Sequence, residues 1–144
     1  LFRSPWLRDR VTRQGDLSHY NSCNVLSLHA LLGAYSDEGA QWLDELRPVL
    51  ADNIRYACDF IAAHFPGVQV MQPQGTYMLF LDCAAWLQEH HMTLRELEER
   101  GARAGVIWQD GAAFAWPDSI RMNLALPHSR LVEAMERLRV HAFC

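Results

Sequence analysis

Arg121, in the triplet Arg121-Met122-Asn123, is the residue of this 144-residue chain best suited to hold a small anion. A guanidinium presents a planar fork of donors that meets a carboxylate through two parallel hydrogen bonds. Strict alternation from Ser119 to Leu124 puts Ile120, Met122 and Leu124 on one face of a strand, with Arg121 and Asn123 on the other. Asn123 therefore projects beside Arg121, where it could orient the cation. An arginine on a solvated strand face fits the same spacing, so both readings stand. Tyr77 follows the turn Pro73-Gln74-Gly75, where a glycine lets the backbone approach a flat ligand closely and the aromatic lines the cavity. A turn glycine followed by a core aromatic is the plainer account. Phe114, after the small residues Gly111-Ala112-Ala113, sits either in a loop over a site or in a connector.

A second polar cluster, His19-Tyr20-Asn21-Ser22, precedes a helix. Amide hydrogens at a helix start can help hold a phosphate, and Asn21 and Ser22 are the candidates here; simple capping is the alternative. Other chemistries are poorly served. No Ser-His-Asp set can be assembled from spacing, no glycine-rich phosphate loop is present, and His90-His91 has no further ligand at metal spacing, so no metal site is expected. All 13 residues in the Lys+Arg count are arginines. No amine is available for a Schiff base, so no catalytic residue of that kind lies in this chain.

The elements that must carry these groups read as helices first and a sheet second. A short helix is expected over Trp6 to Arg13, broken at Gly15-Asp16. The segment Asn24 to Tyr35 is apolar around most of its circumference and should be well buried. From Ser36 or Asp37 a stripe of Trp42, Leu43, Leu46, Leu50, Ile54, Ala57, Phe60, Ile61 and Phe65 predicts one long helix, kinked at Pro48 and stopped by Pro66-Gly67. Strands follow at Val68 to Met71, Tyr77 to Asp82, Gly105 to Gln109 and Ser119 to Leu124. Thr93-Leu94-Arg95-Glu96 opens a helix ending near Gly101, and a last helix starts at Pro127 to Ser129. The expected fold class is α+β, with helices followed by a small sheet of three or four strands and helices packed on one side.

Composition narrows the function. Half the residues are apolar, 21% are charged and the net charge is -4. That argues against nucleic acid as a partner, and no apolar run approaches the roughly 20 residues of a membrane span. No secretory signal is read at the start, and Cys23, Cys58, Cys83 and Cys144 read as free thiols of a cytoplasmic protein. Leu1 in place of a start methionine predicts a trimmed chain.

Three stretches taken together resemble the carboxy-terminal portion of the fold-type I pyridoxal-phosphate enzymes, the class I/II aminotransferase superfamily. They are Gly39-Ala40-Gln41-Trp42-Leu43; Pro66-Gly67-Val68 leading to the run Pro73 to Cys83; and Gly105 to Phe114 leading to Arg121-Met122-Asn123-Leu124. Within it the sequence is most similar to the cystathionine β-lyase (C–S lyase) branch. The resemblance covers about Trp6 to Leu138 and implies that Arg121 grips the α-carboxylate of an amino-acid substrate. It implies pyridoxal 5'-phosphate in the full-length protein, with its lysine upstream and none bound covalently here, so this piece alone is expected to be inactive. Residues 1–36 would be a remnant of the large cofactor-binding domain, and 37–144 the small domain with its linking helix. The resemblance also implies a homodimer, in which Asn21 and Ser22 are expected near the partner's cofactor. An aminotransferase is the alternative activity, and a stand-alone ligand-binding or interaction domain is the alternative of another class. Trp108 and the loop around Phe114 are candidates for the pocket of the substrate's β-substituent.

Overall fold

The structure is a computed structural model describing residues 3–19 and 24–144, and it divides into two compact units, Leu1–Asp44 and Glu45–Cys144. Six helices and four strands are assigned among the described residues: α1 (Pro5–Ser18), α2 (Val25–Ala34), α3 (Asp37–His64), β1 (Gln69–Val70), β2 (Met78–Asp82), α4 (Ala84–Glu89), α5 (Leu94–Arg103), β3 (Gln109–Asp110), β4 (Ser119–Asn123) and α6 (His128–His141). A single 3-10 turn, Gly111–Phe114, joins β3 to β4. This is the α+β arrangement that the change of period along the chain predicts.

The first unit is helical. Ser4 caps α1 by accepting from the Leu7 amide, Pro5 occupies the first turn, and the helix runs through Gly15 to a left-handed His19. The break expected at Gly15-Asp16 does not occur, because a single glycine costs a helix only about 1 kcal/mol and leaves its hydrogen bonds intact. Asn24 caps α2, its side chain accepting from Ser27 N at 2.9 Å. The expected alternative caps Asn21 and Ser22 lie outside the described residues. The burial expected for this helix is corrected: α2 holds no buried residue, and Leu26 is 82% exposed. Its apolar circumference specifies that something should cover it, but not that the cover lies within this unit.

The second unit carries a real core. The C-terminal part of α3 contributes Ile54, Ala57, Phe60 and Ile61; Pro48 lies within the helix, which continues past it. The sheet is antiparallel throughout, in the order β1-β2-β4-β3. Leu79 and Leu81 of β2 pair with Met122 and Ile120 of β4, and this buried face packs into the cluster that holds Trp86, Leu97, Leu131, Met135 and Leu138 from α4, α5 and α6. The capping box at α5 forms as predicted: Thr93 Oγ1 accepts from Glu96 N at 3.3 Å, and Glu96 Oε2 accepts from Thr93 N at 2.8 Å. Helix α4 gives no periodic signal because it is only six residues long. It starts where Asp82 Oδ1 accepts from Ala84 N at 3.0 Å.

A buried amide ties α3 to the exit of β4. Asn53 is 1% exposed, and its Nδ2 donates to the carbonyls of Leu124 and Leu126, both at 2.9 Å. Its Oδ1 lies 3.0 Å from His128 Nδ1 at the start of α6. One side chain thus pairs the Leu126 carbonyl and adds a second donor to the Leu124 carbonyl, which also accepts from Leu126 N at 3.0 Å.

Candidate functional site

The sheet face opposite the core is where the chemistry-bearing residues collect. In β2 this face carries Met78, Phe80 and Asp82, all half-buried; in β4 it carries Arg121, half-buried, and Asn123, exposed. Arg121 is the direct cross-strand partner of Phe80 on one side and of Gln109 on the other. A central strand therefore fixes the base of the guanidinium arm on both edges, which is how a fold holds a binding group more firmly than a loop does.

The head of that arm rests on an aromatic ring. Arg121 Cζ lies over Phe114, 4.5 Å from the ring centroid. Phe114 meets Phe80 edge-on, with centroids 5.6 Å apart and planes at 86°, and Phe80 stacks on Trp116 at 6.2 Å and 14°. Among the described residues Arg121 makes no ion pair. Its counterparts from Arg55 onward differ: Arg55, Arg95, Arg103, Arg130, Arg137 and Arg139 each face a carboxylate, and Arg100 donates to the Ala142 carbonyl. Arg121 is thus a half-buried cation with an aromatic neighbour and no carboxylate partner among the described residues, a type of group able to meet an anion with charge-assisted hydrogen bonds.

The loop that presents Phe114 is tightly specified. Asp110 Oδ1 accepts from Ala112 N at 2.7 Å to open the 3-10 turn, Trp116 N donates to Gly111 O at 3.1 Å, and Ala115 closes it in the left-handed region at φ 60°. Ser119 Oγ donates to the Trp116 carbonyl at 2.7 Å. Gly111 is required here: a Cβ would stand 2.7 Å from the carbonyl oxygens of Ser119 and Trp116 and overlap Ser119 Oγ.

The remaining expected site residues fall differently. Asn123 shares the face of Arg121, but its Oδ1 accepts from Ala125 N at 2.8 Å, closing the strand end rather than orienting the cation. Tyr77 precedes β2 and its carbonyl accepts from Leu124 N at 2.9 Å, so the pleat puts it in phase with Leu79, opposite Arg121. A Cβ at Gly75 would meet nothing within 4 Å, and it is Thr76 that adopts φ 68°. The turn instead borders a groove of ≈ 690 Å³ on the Arg121 face, shared with Met78, Phe80, Asp82 and Trp116. Trp108 packs on α5, where only a glycine at position 101 leaves room for its ring, so it faces away from Arg121. Asn21 and Ser22 lie outside the described residues. Phe80, Trp116 and Asn53 carry no periodic or motif signal of their own, and sequence reasoning does not find them.

Residues 10–138 match the family model described as aminotransferase class I and II. The chain belongs to that family. Among curated relatives of this aminotransferase-family chain, cystathionine β-lyase of Corynebacterium glutamicum is 35% identical over 131 residues, covering 89% of this chain and 31% of the relative. Protein MalY of Escherichia coli K12 is 33% identical over 122 residues, covering 82% and 30%. Among solved structures, cystalysin of Treponema denticola, which contains a pyridoxal 5'-phosphate cofactor, superposes with a TM-score of 0.80 at 26% identity, covering 97% of this chain and 35% of cystalysin. The chain thus spans about a third of the length of the relatives it matches.

Proposed function

We propose that this chain is the C-terminal part of a pyridoxal-phosphate-dependent C–S lyase of the cystathionine β-lyase kind, and that Arg121 binds the α-carboxylate of its amino-acid substrate. The observation that carries the reading is the guanidinium of Arg121, half-buried on a central strand and without a carboxylate partner among the described residues. An acidic residue beside it would consume the donors that a substrate needs. Family membership and the named lyase relative supply the substrate class. The reading extends to residues 1–36 as part of the large cofactor-binding domain and 37–144 as the small domain. The uncovered apolar surface of α2 supports that division. A homodimer completes the proposal, as does a cytoplasmic setting for the full-length enzyme.

The residues present do not fit a covalent anchor for the cofactor, since the chain contains no lysine. Pyridoxal phosphate supplies an electron sink for carbanion chemistry when bound. What this chain contributes is binding and orientation: Arg121 fixes the carboxylate, and Phe80, Phe114 and Trp116 supply an aromatic face beside it. A group held in one orientation reacts from a smaller set of poses, which lowers the entropic part of the barrier.

An aminotransferase is the second reading, favoured by the description of the family itself. Both activities use a carboxylate anchor, so product analysis separates them. The intact polypeptide with pyridoxal phosphate is expected to release pyruvate and ammonia from cystathionine without an added keto acid. Keto-acid-dependent amino transfer with no pyruvate release would replace the lyase by the aminotransferase.

A further inference from the structure

Phe114, Phe80 and Arg121 close a triangle whose sides are of different kinds. Phe80 and Arg121 are locked by strand register, Phe80 and Phe114 by an edge-to-face ring contact, and Phe114 and Arg121 by the cation lying over the ring. Two corners are therefore set without the third interaction. The 3-10 turn, with its Asp110 cap and its crowded Gly111, fixes where Phe114 sits whatever Arg121 does. An arginine head on three flexible carbons has no such constraint of its own, and no hydrogen bond holds it among the described residues.

We propose that Phe114 is a positioning residue: its ring holds the Arg121 head in place before any ligand arrives, while leaving the N–H donors unspent. The contact suits this task because a cation over a ring face is attracted by the ring quadrupole and uses no hydrogen-bond donor. A carboxylate in the place of Phe114 would hold the head more strongly, but it would occupy the edge that a ligand needs. An aliphatic side chain would leave the donors open and the head free to wander. An aromatic face does both jobs, so an incoming carboxylate meets an ordered fork and less rotamer entropy is lost on binding. The inference deepens the carboxylate-binding reading of Arg121 and rests on it for its biological sense, but the ordering itself can be observed without any substrate.

The test uses the full chain labelled with nitrogen-15 and the arginine Nε–Hε region of its proton–nitrogen spectrum. Arg121→Gln assigns the signal. In the unaltered chain the Arg121 Hε is expected upfield of free arginine, from the ring current, with a heteronuclear NOE near that of the backbone. Phe114→Leu is expected to move the signal to the free-arginine position and collapse the NOE, and Phe114→Tyr to keep both. Replacing the ring at position 114 by its pentafluoro counterpart keeps the shape while reversing the quadrupole, and is expected to release the head as leucine does. This variant decides the matter should leucine disturb the loop. A signal unmoved and still ordered in the leucine and pentafluoro chains would overturn the proposal. Sodium acetate then probes the carboxylate reading separately: half-response is expected at roughly threefold or more higher acetate in Phe114→Leu, the scale of one exposed cation–π contact. An Arg121 signal indifferent to acetate in the unaltered chain, yet released by Phe114→Leu, would sink the carboxylate reading and leave the positioning role standing. An equal acetate response with equal order in both chains would do the reverse.

Discussion

Arg121 and Phe80 face each other across β2 and β4, and the ring that edges Phe80 is the one that carries the Arg121 head. The strand pair and the 3-10 turn thus converge on one guanidinium, and damage to either should be felt there.

Gly111→Ala tests the turn. The added methyl would overlap Ser119 Oγ and crowd two carbonyl oxygens, none of which is the free end of a flexible chain. Overpacking of this kind costs about 1–3 kcal/mol. The expected result is a lower urea midpoint together with loss of the Arg121 ring-current shift, read by denaturation and by the Nε–Hε spectrum. A native midpoint and an unmoved Arg121 signal would show that the turn yields without consequence.

Asn53→Leu tests the other end of β4. It takes the side-chain donor from the Leu126 carbonyl and one of two donors from the Leu124 carbonyl, in a site where Asn53 is 1% exposed. A buried group left unpaired costs about 1–3 kcal/mol, so a loss of about that size is expected in urea denaturation. Asn53→Asp should be no better, since a carboxylate can accept but not donate to those carbonyls. Stability equal to the parent in either variant would mean that the Leu126 carbonyl finds another donor.

Cys83 gives a pH dependence with a defined sign. Burial first, then the charges of Asp82 and Asp118, push its thiol from the ordinary 9.0 up to about 12. Between those values the unfolded chain has released a proton that the folded chain keeps, so the contribution is intact below pH 9 and is lost as pH rises toward 12. Stability should fall by up to about 1.4 kcal/mol per pH unit across that window. Cys83→Ala should flatten the slope, measured as urea midpoints at several alkaline pH values. The same burial predicts that iodoacetamide labels the exposed Cys144 in the folded chain and reaches Cys83 only on unfolding.

Much of this architecture was legible in the residues, and the failures have physical reasons. The helix Asp37–His64 announces itself because an apolar stripe sustained over many turns has no other period to fit. The face of Arg121 follows from two-residue alternation against Ile120 and Met122, both buried as expected. Periodicity says nothing, however, about which neighbour a side chain reaches. Asn123 shares the right face but bonds Ala125, and Tyr77 falls out of phase with Arg121 by a single residue. Phe114 comes to Arg121 through a left-handed Ala115 and a capped 3-10 turn, geometry that leaves only the Asp110-Gly111 pair as a trace in sequence. For α2 the apolar pattern was clear but its covering surface was not, because a hydrophobic circumference records a need and not a partner.

The most direct test of the central claim asks Arg121 to distinguish a carboxylate from its absence. The intact polypeptide with pyridoxal phosphate is assayed by kcat/KM on cystathionine and on the analogue lacking the α-carboxylate next to the reacting amine. Arg121→Gln is expected to lower kcat/KM for cystathionine by about 3 kcal/mol, more than a hundredfold, the scale of a lost charge-assisted pair. It should leave the analogue nearly unchanged. An equal loss on both substrates, or no loss on either, would contradict the assignment of Arg121 as the carboxylate anchor.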